Sequence, residues 1–250
     1  MDAAHSEIDL SIVIPAYNEE DRLGPTLRRV IEWLNAQPWD TELVVVDDGS
    51  EDRTAELARQ ELAEAPMPTS VLVNEGNRGK GYSVRRGMMH SAGGLALFSD
   101  ADLSTPIEHA ADLREAIEEG ADIAIASRAL ADSELAVRQP LPREYAGRMF
   151  SVVQRAILKT GIRDTQCGFK MFTREAVEAV FPHQTLDRWA FDAELIFIAQ
   201  QLGLRVVEVP VRWLDSPATK VNALRDGLQM VADLVYIRRT HSGLRPTDEP

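Results

Sequence analysis

Cysteine is nearly absent: Cys167 is the only one in 250 residues. A single thiol excludes an intramolecular disulfide and a cysteine-rich zinc site, and it fits a reducing compartment. Positive charge is also scarce. Lys and Arg number 27 against 40 Asp and Glu, a formal net charge of −13. That balance excludes general nucleic-acid binding, which needs a basic footprint, and opposes attraction of the whole molecule to anionic lipid. Long apolar runs are missing too. The longest charge-free stretch, Gly87–Ser99, holds His90, Ser91 and three glycines and falls short of the roughly 18 apolar residues a spanning helix needs. The opening MDAAHSEIDLSIVIP has neither a basic start nor a long apolar region, so no secretion signal is expected. The expected location is the cytoplasm, with peripheral contact at the cytoplasmic membrane face as the alternative.

What remains is the composition of a globular protein, 44% apolar and 27% charged. The first half alternates short β-branched runs with helical patterns, which predicts a mostly parallel sheet flanked by helices. The predicted strands are Leu10–Pro15, Glu42–Asp47, Ser70–Asn74, Ala96–Asp100 and Asp122–Ser127, with helices near Pro25–Asn35, Asp52–Glu64, Tyr82–Ser91 and Pro106–Glu119. In the second half a long helix is read over Arg143–Thr160 and a loop leading into a strand over Thr165–Phe172. Further helices are read at Arg174–Val180, Asp192–Leu202 and Val221–Arg239, with a strand at Arg205–Val211.

Ligands of such sheets sit beyond the carboxyl ends of the strands, and here those ends are rich in Asp, Asn, Glu and Gly. Asp100 and Asp102 end the apolar run LALFSDAD. Side chains two apart on a strand point the same way, so their oxygens can converge on Mg²⁺ or Mn²⁺; an Asp-rich turn capping the next helix explains the same pattern. Asp47 and Asp48 follow VVV and open the DGS turn. Either acid can accept hydrogen bonds from a base or ribose, and either can simply shape the turn. The segment Asn74–Gly81, NEGNRGKG, places glycines, Arg78 and Lys80 before a helix. That pattern suits a diphosphate at a helix N-terminus as well as it suits a surface loop, and it is neither a Walker A sequence nor a dinucleotide fingerprint.

The combination is more specific than its parts. PAYNEE, VVDDGS, NRGKG and SDADLSTP, in that order, resemble the inverting GT-A glycosyltransferases of family 2, and the resemblance covers nearly the whole chain. DTQCGFKMF at Asp164–Phe172, RWAFDAEL at Arg188–Leu195, and VPVRW with a later Lys220 look like the polyprenyl-phosphate branch. DADLSTP looks closer to its glucosyltransferases than to mannosyltransferases, which often carry Gln where Ser104 stands. The resemblance implies a GT-A, Rossmann-like domain over residues 1–240, with a nucleotide-sugar half over about 8–128, an acceptor half with C-terminal helices over about 129–240, and a flexible tail over 241–250. It also implies Mg²⁺ or Mn²⁺ as cofactor, held by Asp100 and Asp102. Pro15, Tyr17, Glu19, Asp47, Asp48, Lys80, Gly81, Asp100 and Arg128 are the expected nucleotide-sugar residues. The implied partners are UDP-glucose as donor and a polyprenyl phosphate as acceptor, together with a membrane surface or a membrane subunit.

Asp192 and Glu194 are two apart on a predicted helix and cannot share a face; Asp192 lies on its core-facing stripe. Both are catalytic candidates together with Asp102, Asp192 ahead of Glu194. A hydroxyl acceptor needs a base to take its proton. A phosphate monoester, with a second pKa of about 6, needs cations instead. Arg143, Arg148, Arg212 and Lys220 are the expected acceptor-phosphate ligands, because arginine forks suit phosphate. The alternatives are a soluble hydroxyl acceptor, GDP-mannose as donor, or a non-catalytic subunit that binds nucleotide sugar.

Overall fold

The computed structural model describes residues 8–135, 152–214 and 223–246. Its strands are β1 (Leu10–Ala16), β2 (Thr41–Asp47), β3 (Thr69–Val73), β4 (Leu95–Ser99), β5 (Ile123–Ser127), β6 (Glu134–Leu135), β7 (Phe169–Thr173), β8 (Val206–Pro210) and β9 (Arg212–Trp213). The helices are α1 (Leu23–Asn35), α2 (Thr54–Leu62), α3 (Lys80–His90), α4 (His109–Glu118), α5 (152–158), α6 (Arg174–Val180), α7 (Phe191–Gln201) and α8 (Ala223–His241). The expected α/β architecture is borne out.

Seven strands form one sheet in the order β3-β2-β1-β4-β7-β5-β8. All pair in parallel except β7, which runs antiparallel to β4 and β5. Strands β1 and β2 are buried along their whole length, which explains their near-continuous apolar runs: helices cover both faces. Leu10, Ile12 and Ile14 pack with α1 and α4 on one face; Val13, Val44 and Val46 pack with α3, α6 and α7 on the other. Helix α1 presents Leu23, Leu27, Val30 and Leu34 to the sheet, the spacing of an amphipathic helix. Helix α3 comes closer still. A side chain at Gly87 would run into Val13 and Val46, so only glycine lets the helix backbone reach the strands there.

The chain steps outward from β1 through β2 to β3, then returns to the other side of β1 as β4. The switch point between β1 and β4 opens a crevice at their carboxyl ends, where such sheets bind ligands. On the far side, α5, α7 and α8 share a smaller core of Leu158, Ala193, Phe197, Leu234 and Ile237. Of the stretch 241–250, expected as a tail, the described residues end at 246. Helix α8 runs to His241, which is buried, and Leu244 rests on the core. Apolar contact at the end of α8 holds this segment, and so short a segment shows no clear periodicity. Among the described residues no helix is long and apolar enough to cross a membrane.

Candidate active site

An open cleft of about 510 Å³ lies over the β1–β4 switch point. Its β1 wall carries Pro15, Ala16, Tyr17 and Glu19. Glu19 is held by Arg22, which donates from Nη2 at 2.7 Å, and Arg22 lines the cleft as well. Asp48, beyond β2, also lines it. Its carboxylate accepts from Asn74 Nδ2 at 2.8 Å and from the backbone N–H groups of Arg78 and Gly79 at 3.0 and 2.8 Å. Asp48 therefore fastens the glycine loop to the strand end. Gly49, at φ 69°, lies so close to Gly76 that a side chain would enter its backbone, which seats the DGS turn on the same loop. Asp47 does not line the cleft. It is buried and accepts from Ser50 N at 3.1 Å, which ties it to the turn.

Asp100 and Asp102 both face the cleft, though not by strand alternation. Strand β4 ends at Ser99, and the acids sit in a turn in which Leu103 takes a positive φ of 46° and Ser104 N donates to Asp102 Oδ1 at 3.0 Å. Lys80, first residue of α3, puts its Nζ 2.5 Å from Asp100 Oδ1. Burial opposes its charge, but Asp100, Asp192 and Asp102 together hold the ammonium above the ordinary lysine value. Gly81, also expected at the nucleotide, does not line the cleft. Any side chain there would strike Leu186 O and Phe191, so this glycine lets α3 dock against α7.

The oxygen donors fit a hard cation. Asp100 lies against Gly168, where an added Cβ would fall within its carboxylate, so glycine leaves that group its room, and a cation (the Lys80 ammonium) already faces it. Among the described residues no group of three or more His, Cys, Asp and Glu side chains is arranged to hold a metal. A pair of carboxylates with the remaining positions left to phosphate and water is how Mg²⁺ is commonly bound.

Asp192 enters the cleft from the first turn of α7 and is buried. Its carboxylate is paired with Lys170, which is fully buried in β7 and also donates to Cys167 O at 2.5 Å. Burial pushes the Asp192 carboxyl above its usual range; Lys170 and Lys80 pull it back in part. Burial likewise raises the Cys167 thiol to about 11, so it is no nucleophile at neutral pH. Arg128 lines the cleft and grips Asp164 through Nε at 2.7 Å and Nη2 at 2.9 Å. Burial opposes both charges, yet each stabilises the other: Arg128 is held above its usual value and Asp164 below the carboxylate range.

Glu194, the second acid of α7 expected at the reaction, is not among the cleft-lining residues. It is buried outside the cleft, where its carboxylate accepts from Thr185 N and Oγ1 at 3.0 and 2.6 Å and from Leu186 N at 2.8 Å, and lies 2.8 Å from His241 Nε2. It ties α7 to the preceding loop and to α8. Arg212, expected at the acceptor phosphate, has an exposed side chain and is not part of the cleft lining among the described residues, although its neighbour Trp213 is. Arg143, Arg148 and Lys220 lie outside the described residues. Cleft residues not singled out from the sequence include Arg22, Gln166, Arg188, Trp189 and Trp213, with Lys170 and Asp164 just behind. Lys170 had a signal, a lone charge inside the apolar run FKMF. The others had none beyond their motifs.

The profile of glycosyl transferase family 2 matches residues 11–181. The dolichyl-phosphate beta-glucosyltransferase of Dictyostelium discoideum is 36% identical over 242 residues, covering 92% of this chain and 74% of that protein. The human protein of that name is 35% identical over 243 residues, again 92% and 74%. Among solved structures, mannosyl-3-phosphoglycerate synthase from Rubrobacter xylanophilus superposes with a TM-score of 0.69 at 21% identity, covering 97% of this chain and 77% of that one. Glucosyl-3-phosphoglycerate synthase from Mycobacterium tuberculosis, solved with Mn²⁺, UDP and glucosyl-3-phosphoglycerate, gives 0.66 at 19%, covering 96% and 82%. These two likenesses speak to the fold.

Proposed function

The chain belongs to glycosyl transferase family 2, and from that premise we propose that it moves glucose from UDP-glucose to a polyprenyl (dolichyl-type) phosphate, inverting the anomeric carbon. The names of relatives at 35–36% identity support donor sugar and acceptor. The observation that carries the transfer chemistry is Asp100 and Asp102 facing Lys80 over the switch point, which suits the diphosphate of a nucleotide sugar. Residues 1–240 act as one domain in this reading.

An oxygen of the acceptor phosphate attacks the anomeric carbon from the face opposite the diphosphate. The new carbon–oxygen bond forms as the bond to the β-phosphate breaks, and UDP leaves with the electron pair. Lys80 stands where that charge develops, and such stabilisation is commonly the largest part of catalysis. Asp100 and Asp102 are the residues to hold Mg²⁺ or Mn²⁺, which when bound neutralises diphosphate charge. Pro15, Tyr17 and Glu19 form the nucleoside end. A phosphate acceptor arrives already ionised, so Asp192 serves by holding Lys80 and Lys170 in place. The acceptor brings the enzyme to a membrane surface, which fits peripheral contact.

A second reading, transfer to a hydroxyl acceptor, draws on the raised carboxyl of Asp192, a better base than an ordinary aspartate. The test is product formation from UDP-glucose with Mg²⁺ or Mn²⁺ and a short polyprenyl phosphate in detergent, with GDP-mannose as the competing donor. Lipid-linked glucose that disappears on chelation and in Asp102→Ala is the expected result. Donor hydrolysis without lipid product from either donor would overturn the acceptor and direct attention to hydroxyls.

A further inference from the structure

Among the described residues the cleft lining holds five carboxylates, Glu19, Asp48, Asp100, Asp102 and Asp192, against four cations, Arg22, Lys80, Arg128 and Arg188. A phosphate monoester entering this cleft therefore needs a cation not already committed to a carboxylate. Three of the four are committed: Arg22 to Glu19, Lys80 to Asp100 and Arg128 to Asp164. Arg188 alone has no ion pair or side-chain hydrogen bond among the described residues.

The backbone beneath Arg188 is fixed from two sides. Asp187 O accepts from Tyr82 N at 3.2 Å, and Arg85 of α3 donates to Gln184 O at 2.6 Å and to Asp187 Oδ1 at 3.2 Å. Gly79, at φ 110°, leaves room for Asp187 O and the Arg188 stem. From behind, Glu194 accepts the N–H groups of Thr185 and Leu186. The guanidinium is thus carried on a rigid loop beside the N-terminus of α3. The next residue, Trp189, lines the same cleft and keeps 42% of its surface exposed. A lone exposed aromatic is ordinary. An uncommitted guanidinium followed directly by an open indole, both in one cleft, matches a ligand whose phosphate is joined directly to a hydrocarbon.

We propose that Arg188 and Trp189 form the acceptor-head subsite, Arg188 forking onto the phosphate monoester and Trp189 packing the first hydrocarbon unit attached to it. This assignment rests on the acceptor reading above. Guanidinium geometry suits two phosphate oxygens at once, and an indole buries a large apolar face at small entropic cost. In the reading above the diphosphate of the donor is met by Lys80 and by the cation that Asp100 and Asp102 would hold, so Arg188 answers to the acceptor.

The experiment compares wild type, Arg188→Ala, Arg188→Gln, Arg188→Lys and Trp189→Ala with UDP-glucose and citronellyl phosphate. Ethyl phosphate serves as a competing ligand without a hydrocarbon tail, and melting curves verify each fold. Arg188→Ala and Arg188→Gln are expected to raise the citronellyl phosphate KM and the ethyl phosphate inhibition constant by about tenfold or more, the scale of one charge-assisted hydrogen bond. The UDP-glucose KM stays put, and Arg188→Lys recovers part of the loss. Trp189→Ala raises the citronellyl phosphate KM and leaves ethyl phosphate unchanged. An Arg188 effect on UDP-glucose instead of the phosphates, or on neither, overturns the subsite. A wild-type enzyme that transfers nothing to citronellyl or longer polyprenyl phosphates removes the acceptor reading itself, and the subsite with it.

Discussion

Lys80 Nζ lies 2.5 Å from Asp100 Oδ1, and both side chains line the cleft. Three aspartates keep the lysine charged despite its burial, so at neutral pH it occupies the carboxylate proposed to hold the metal. A metal held there would compete with the ammonium for Asp100 until a diphosphate drew the lysine away. Calorimetric titration with Mn²⁺ alone is expected to show weak binding that tightens severalfold in the presence of UDP. Lys80→Met should bind Mn²⁺ more tightly without nucleotide and UDP about tenfold more weakly. A Mn²⁺ affinity indifferent to UDP and to Lys80→Met would remove this antagonism.

Gly168 is expected to be intolerant of the smallest change. A Cβ there overlaps the Asp100 carboxylate, and Asp100 N also donates to Gly168 O at 3.0 Å, so neither group can retreat freely. Gly168→Ala should lower kcat by roughly 100-fold through displacement of a reacting geometry and cost about 1–3 kcal/mol of stability from overpacking. Steady-state kinetics and a denaturant melt test both; near-normal kcat would mean that Asp100 has room to move.

The Arg128–Asp164 pair links stability to acid. Asp164 is almost wholly buried, and Arg128 holds its folded pKa below the usual carboxylate value although burial opposes this. Its contribution is therefore fully present above the unfolded carboxylate pKa of about 3.9, and is lost as pH falls through the depressed folded value. Asp164→Asn removes that acid-side dependence and leaves Arg128 uncompensated, with an expected loss of about 3–5 kcal/mol at neutral pH. Denaturant melts at pH 7 and at steps from pH 4 down to pH 2 measure both; parallel pH dependence in wild type and variant would count against the assignment.

Two acids on one helix are expected to behave oppositely. Glu194→Gln disturbs the bonds to Thr185, Leu186 and His241. It should lower the melting temperature, a cost of about 1–3 kcal/mol, while KM and kcat measured well below the melt remain close to wild type. Asp192→Asn strips the buried Lys170 of its partner inside the cleft, and is expected to cut kcat severely at any temperature. Equal kinetic damage from both would restore Glu194 to the reaction.

Helical periodicity separated these two residues correctly, with Asp192 on one side of α7 and Glu194 on the other. It could not say which side met the cleft and which met His241, some 47 positions along the chain. The same limit applies to Asp100 and Asp102. Strand alternation predicts that both face one way, yet β4 stops at Ser99, and both line the cleft from a turn in which Leu103 is left-handed.

The amino-acid sequence by itself determined the parallel sheet, its strand ends and the acidic crevice over them. Buried strands write their burial as continuous apolar runs, and their carboxyl ends bind ligands whatever the partners. Four motifs in fixed order also marked the family before any contact was known. Tertiary structure alone decided the charge pairing: Arg128 with Asp164, Lys170 with Asp192, Lys80 with Asp100, and Arg188 with none among the described residues. A side chain's type and local pattern state what it can do. Which opposite charge lies within reach depends on β7 running antiparallel between β4 and β5 and on α3 and α7 meeting over Gly81, and such distances exist only in the folded chain.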